Sequence, residues 1–201
     1  MSKDFFLLFG FSFTYTHEYN LNIYFMNLIF PLVYSSILFC SLATICFYLI
    51  GQLKMTQRVE KRISMLETRL QTDERSSDNF YKLGQIYLRK KIYDKAINLF
   101  RQSLKYWDEN DKIGLGSLYN TLGFTYFKLK EYDQSIYYYT QAVKLLPDYT
   151  LALTNLGLVY ENKQMYKEAY STYSNTLEYE NQNKIAKTRL PIMKVKAELI
   201  Y

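Results

Sequence analysis

The residues able to do covalent chemistry are few and badly placed for it. One histidine, His17, is the only imidazole in 201 residues, and it stands in a leader, 1–25, with no recognisable organisation. Ser-His or Cys-His nucleophilic chemistry therefore lacks a positioned base. The two cysteines, Cys40 and Cys46, both lie inside an apolar run and share no metal-ligand spacing with a histidine. They read as small apolar side chains of a membrane helix. The glycines are scattered singly, so no loop is built to cradle phosphate. Asp108, Glu109 and Asp111 cluster within four positions, but such a cluster reads as a solvated turn. The expectation is a protein that is not an enzyme and holds no metal or cofactor.

Charge narrows the partner. The net charge is +6, yet residues 76–183 are nearly neutral, with 13 basic against 12 acidic side chains. The excess lies in 54–75, six against four, and in 184–201, five against one. A nucleic-acid binder concentrates its cations on the folded domain, so nucleic acid is disfavoured. Tyrosine is abundant at 22 residues, and Phe, Ile, Asn and Lys are also frequent, as in proteins of AT-rich organelle genomes.

No charged residue occurs between Glu18 and Lys54. Within that gap Leu28–Ile50 would run roughly 34 Å as a helix, enough to cross a hydrocarbon core of about 30 Å. A transmembrane helix is expected over 26–52, with Pro31 in its first turn. A cleaved signal peptide is the competing reading, because Ser41-Leu42-Ala43 imitates a cleavage site. Against it, no basic stretch directly precedes the run, which continues to Ile50. Lys54, Arg58, Lys61 and Arg62 follow the span, so the positive-inside bias keeps the C-terminal part on the cytoplasmic or stromal side. Met26 is an alternative initiator.

A charged stem helix is expected over 53–75. Its apolar positions Val59, Ile63, Leu66 and Leu70 make one stripe, suited to packing on the following domain or to a dimerising zipper. Beyond it the sequence repeats itself. Phe80-x-x-Leu83-Gly84-x-x-Tyr87 precedes Ala96-x-x-x-Phe100, and Tyr119-x-x-Leu122-Gly123-x-x-Tyr126 precedes Ser135-x-x-x-Tyr139. A third copy runs Leu153-x-x-Leu156-Gly157-x-x-Tyr160, then Ala169-x-x-x-Tyr173. Gly123 and Gly157 are 34 positions apart, whereas Gly84 and Gly123 are 39 apart, which places five extra residues near Asp108–Gly116.

This order and spacing resemble the tetratricopeptide repeat. The resemblance covers 77–183 and implies an all-α fold: three helix pairs, 77–110, 116–149 and 150–183, stacked into an α-solenoid. Residues 184–201 would form a basic capping helix, broken or kinked at Pro191. Each glycine costs a helix about 1 kcal/mol relative to alanine, which close approach of the second helix would justify.

Such repeats bind proteins along their first helices. The face away from the Leu-Gly-Tyr stripe carries Tyr81, Gln85 and Leu88, then Asn120, Phe124 and Phe127, then Thr154, Leu158 and Glu161. These nine are the candidate groove. Phe124 and Phe127 suit either an apolar ligand contact or packing between first helices. Tyr81, Gln85, Leu151 and Asn155 supply none of the cations with which chaperone-binding repeats clamp a carboxylate, so that ligand is disfavoured.

An anchor, a stem, three repeats and a basic tail together resemble a family of small membrane-linked repeat proteins of plastids and cyanobacteria implicated in photosystem I assembly. The resemblance implies a scaffold at the thylakoid membrane, repeats facing the stroma, with photosystem I subunits or assembly factors as partners. A membrane-anchored receptor for protein import is the alternative, and a soluble exported binding module is a third. The oligomeric state stays open.

Overall fold

The computed structural model describes residues 4–72 and 76–199, with side chains from Ile29 onward, and divides into two units, 1–58 and 59–201. The described residues are all helix and turn. In chain order the helices are α1 (Asp4–Gln71), α2 (Ser77–Arg89), α3 (Tyr93–Lys105), α4 (Lys112–Lys128), α5 (Tyr132–Leu145), α6 (Thr150–Asn162), α7 (Tyr166–Tyr179) and α8 (Lys184–Glu198).

In the first unit, α1 is long and apolar enough to cross a membrane, with a mean hydropathy of 2.0 in its most apolar window and none of that window buried. Its helix begins well before Leu28, which corrects two expectations. Residues 4–25 are helical rather than unorganised, and Pro31 sits inside the helix rather than in its first turn. No other proline occurs before Pro147, so nothing nearby stops the helix. His17 and Met26 lie where side chains are outside the described set.

The second unit opens with 59–71 of α1. Ile63 and Leu66 are buried in a cluster with Leu83, Ile86 and Tyr87, and Val59 and Leu70 pack at its edge. The Tyr87 hydroxyl donates to Glu67 at 3.2 Å, and Lys90 pairs with Glu60. The apolar stripe is therefore spent on the first helix pair rather than left open for a zipper.

Three helix pairs follow: α2–α3, α4–α5 and α6–α7, each pair also packing on the next. Within a pair, the ring closing the second-helix motif lies on the first-helix glycine. A Cβ built on Gly84 would stand 2.6 Å from the Phe100 ring, one on Gly123 2.8 Å from Tyr139, and one on Gly157 2.6 Å from Tyr173. Those three rings are almost completely buried. Ser135 replaces alanine without an unmet polar group, because its hydroxyl donates to the Gly123 carbonyl at 2.8 Å.

The turns between paired helices repeat as closely as the cores. Lys91, Lys130 and Gln164 all have positive φ, 59°, 63° and 62°. At each turn a following N–H reaches back to the tyrosine of the motif: Ile92 to Tyr87, Glu131 to Tyr126 and Met165 to Tyr160, at 2.9–3.0 Å. This is the left-handed helix end that usually recruits glycine.

The five extra residues are divided between a loop and a longer α4. Asp111 caps that helix, accepting from the Gly114 N–H at 2.8 Å and from the Trp107 indole at 3.1 Å, while Asp108 accepts from the Asn110 N–H. Two of the three clustered carboxylates thus terminate and shape a turn. At the other end α8 runs unbroken through Pro191. Ala186 and Met193 are buried against Ala169 and Tyr173, so packing on both sides of the proline holds the helix across the lost hydrogen bond.

Two substitutions test this account by denaturant unfolding. Gly123→Ala gains helix propensity but forces its methyl into Tyr139, for a net loss of about 1–2 kcal/mol; Tyr139→Leu in the same background should cost less than it does alone. Lys130→Gly relieves the left-handed backbone and should add about 1 kcal/mol.

Candidate functional site

The nine candidate groove residues all lie on the first helices, but they take two roles, with Asn120 sharing in both. One kind stitches each first helix to the next. The Tyr81 hydroxyl lies 3.5 Å from Thr121 Oγ1 on α4, and its ring makes an edge contact with Trp107. Asn155 on α6 donates to Asn120 on α4 at 3.1 Å. Thr154 is buried, donates to the Thr150 carbonyl at 2.7 Å, and accepts from Asn183, the residue capping α8, at 3.2 Å. Glu161 accepts from Arg189 of α8 at 3.0 Å and from the Tyr173 hydroxyl at 3.2 Å. Burial, then the Glu161 charge, pushes Tyr173 well above the ordinary tyrosine range and keeps it a neutral donor.

Phe127 belongs with these. It packs on the cluster of Tyr139, Leu156 and Val159, with its ring 6.1 Å from that of Tyr132. Leu158 is half-buried on α6.

The second kind is open. Gln85 and Leu88 of α2, with Asn120 and Phe124 of α4, line a cleft of about 310 Å³. Phe124 is 36% exposed, and the Lys128 ammonium stands 4.9 Å above its ring. Arg89 and Thr121 complete the lining. Sequence reasoning missed both. Arg89 lies four residues beyond Gln85 on α2 and Thr121 one beyond Asn120, so helical spacing could have found them. The cleft therefore offers an exposed aromatic, an aliphatic wall, two amide groups, a guanidinium and a nearby ammonium. Such a surface can seat an apolar side chain and hydrogen-bond a backbone or an acidic neighbour.

Helix pairs with this signature, stacked so that first helices touch first helices, define a tetratricopeptide-repeat protein, a fold that works as a protein-interaction scaffold. Tetratricopeptide-repeat family models match residues 76–148 and 152–185. The chain belongs to the ycf37 family: it is 34% identical to the ycf37 protein of Guillardia theta over 168 residues, covering 84% of this chain and 94% of that one. It is also 30% identical to the tetratricopeptide repeat domain-containing protein PYG7, chloroplastic, of Arabidopsis thaliana, over 76% of this chain and 50% of the relative. Among solved structures, YrrB, described as a TPR protein with an unusual peptide-binding site, superposes with a TM-score of 0.61 at 23% identity, over 74% of each chain. At that identity the likeness concerns the fold.

The division of the candidates is measurable. Phe127→Ser should lower unfolding stability by about 2–3 kcal/mol, as expected of a packed aromatic, whereas Phe124→Ser should change it by less than about 0.5 kcal/mol.

Proposed function

We propose that this chain is a membrane-anchored, non-catalytic scaffold that assists the assembly or stability of photosystem I at the thylakoid membrane. The observation that carries the proposal is one chain joining an unburied apolar helix to a repeat unit with an open cleft, in a family with a chloroplast relative. The apolar residues 28–50 serve as the anchor. The cations that follow, Lys54, Arg58, Lys61 and Arg62, keep the repeats on the stromal side. In this reading the cleft around Phe124 holds a subunit or an assembly intermediate by non-covalent contacts alone. The resemblance in overall plan to plastid photosystem I assembly proteins supports the choice of partner.

The experiment is affinity capture of the tagged full chain from gently solubilised native membranes. Photosystem I subunits or assembly factors should be enriched, and Phe124→Ser should reduce their recovery several-fold while leaving the helical circular dichroism unchanged. Enrichment of precursor proteins or import components would replace this reading with a targeting receptor. The protein should also stay in the membrane pellet after alkaline wash, and its repeat unit should be digested by protease added to the stromal face; release by the wash would overturn the anchor.

A further inference from the structure

The seam residues recur in register, and the register runs one step further than the covered surface. Tyr81, Asn120 and Thr154 occupy one position of the first-helix face; Gln85, Phe124 and Leu158 a second; Leu88, Phe127 and Glu161 a third. Adding the 34-residue period to the α6 set gives Thr188, Ile192 and Val195 on α8. In each earlier set the next first helix engages members of the face: α4 meets Tyr81, α6 meets Asn120 and Phe127, and α8 meets Thr154 and Glu161.

On α8 the corresponding face is open. Ile192 is 41% exposed and Val195 56%, and the stripe is extended by Ile185 at 45% and Leu199 at 77%. With Thr188, these positions follow alternating three- and four-residue steps, the spacing of one narrow helix seam. The buried side of α8, Ala186 and Met193, faces the opposite way, onto α7. A terminal helix of a solenoid ordinarily presents a polar outer face. This one presents the positions that its predecessor uses to hold a helix, with Ile192 in place of Leu158 and Val195 in place of Glu161.

We infer that the open face of α8 docks an acidic amphipathic helix from a partner protein, seated as the next first helix of the stack. The repeat register supplies the shape of the occupant, since a first helix or its cap makes contact with each equivalent face. Charge supplies its chemistry. Residues 184–199 carry five basic side chains against Glu198 alone, and Lys184, Lys187 and Lys194 are exposed. The preceding seam already pairs an acid with a base, Glu161 with Arg189. A second copy of α8 would set cation against cation, which disfavours self-association. The narrow stripe fits a helix ridge better than a bilayer, where an interfacial helix needs a broad apolar face.

The inference rests on the protein-binding role proposed above but uses a different surface, so failure to recover photosystem I components leaves it standing. It is tested with the full chain in neutral-lipid nanodiscs and a fluorescent synthetic helical peptide that has leucines at three- and four-residue steps and glutamates on both flanks. Saturable binding is expected, weakened at least about tenfold by Ile192→Glu or Val195→Glu, and weakened also by Lys184→Glu. These exposed positions should leave the circular dichroism intact, and the Lys184 variant tests the charge without touching the stripe. A wild-type chain that does not bind the peptide, or that binds a lysine-flanked version equally well, overturns the inference. So does a dimer in sedimentation that Ile192→Glu dissolves, which gives the face to a second copy. Quenching of a probe at Val195→Cys by spin-labelled lipid, with Cys40 and Cys46 replaced by alanine, would give it to the bilayer.

Discussion

Everything in the repeat unit depends on an aromatic ring lying where a Cβ would otherwise be. Phe100 on Gly84, Tyr139 on Gly123 and Tyr173 on Gly157 set how closely the two helices of each pair approach. The cost of a helical glycine is about 1 kcal/mol, and burying a large ring returns more than that. Once the approach is fixed, the other regularities follow. The tyrosine at the end of each first-helix motif is placed so that its carbonyl can accept from the residue beyond the turn. That geometry forces a left-handed residue between the helices even where the sequence supplies lysine or glutamine.

The second layer of organisation is the contact between successive first helices, and it is largely polar. Asn120 with Asn155, Thr154 with Asn183 and Glu161 with Arg189 are directional bonds, so they fix register more than they add stability. A solenoid stabilised only by apolar seams could slide; amide and charge pairs at single positions penalise a shifted stack, since a shift leaves half-buried polar groups unmatched. The cleft around Phe124 opens at the middle position of the α2–α4 seam. Gln85 and Leu88 of α2 line it with Asn120 and Phe124 of α4.

Much of this was legible in the residue pattern. The Leu-Gly-Tyr and Ala-x-x-x-aromatic spacings announce the pairs, and an apolar stretch without charge announces the middle of the first helix but not its continuity from Asp4 to Gln71. The left-handed backbone of the turns was hidden, because Lys91, Lys130 and Gln164 carry none of the usual marks of it; tertiary packing on either side overrides the local preference. The course of α8 was hidden for the same reason: Pro191 signals a break, while the burial of Ala186 and Met193 outweighs it. The candidate groove was half legible. Helical periodicity finds a face, but it cannot separate residues covered by the next helix from residues left open, since both carry the same 34-residue period. That distinction belongs to stacking, which no single helix contains. Arg89 was missed because a charged residue at a helix end reads as solvated until a neighbouring helix gives it a wall.

The two ends of the stack show what that distinction means for function. At the N-terminal end, Ile63 and Leu66 lie buried on the first pair, so the chain covers its own exposed face with its own stem. At the C-terminal end, α8 covers the third pair but repeats, in Thr188, Ile192 and Val195, the positions its predecessors give to a neighbour. A quasi-one-dimensional fold has two end faces, whereas each internal face has the next repeat lying against it. Closing one end from within the chain and leaving the other apolar and cationic makes the stack polar in the directional sense. An added helix with acidic flanks at that face is the arrangement inferred above, and cation set against cation disfavours another copy of the chain in its place.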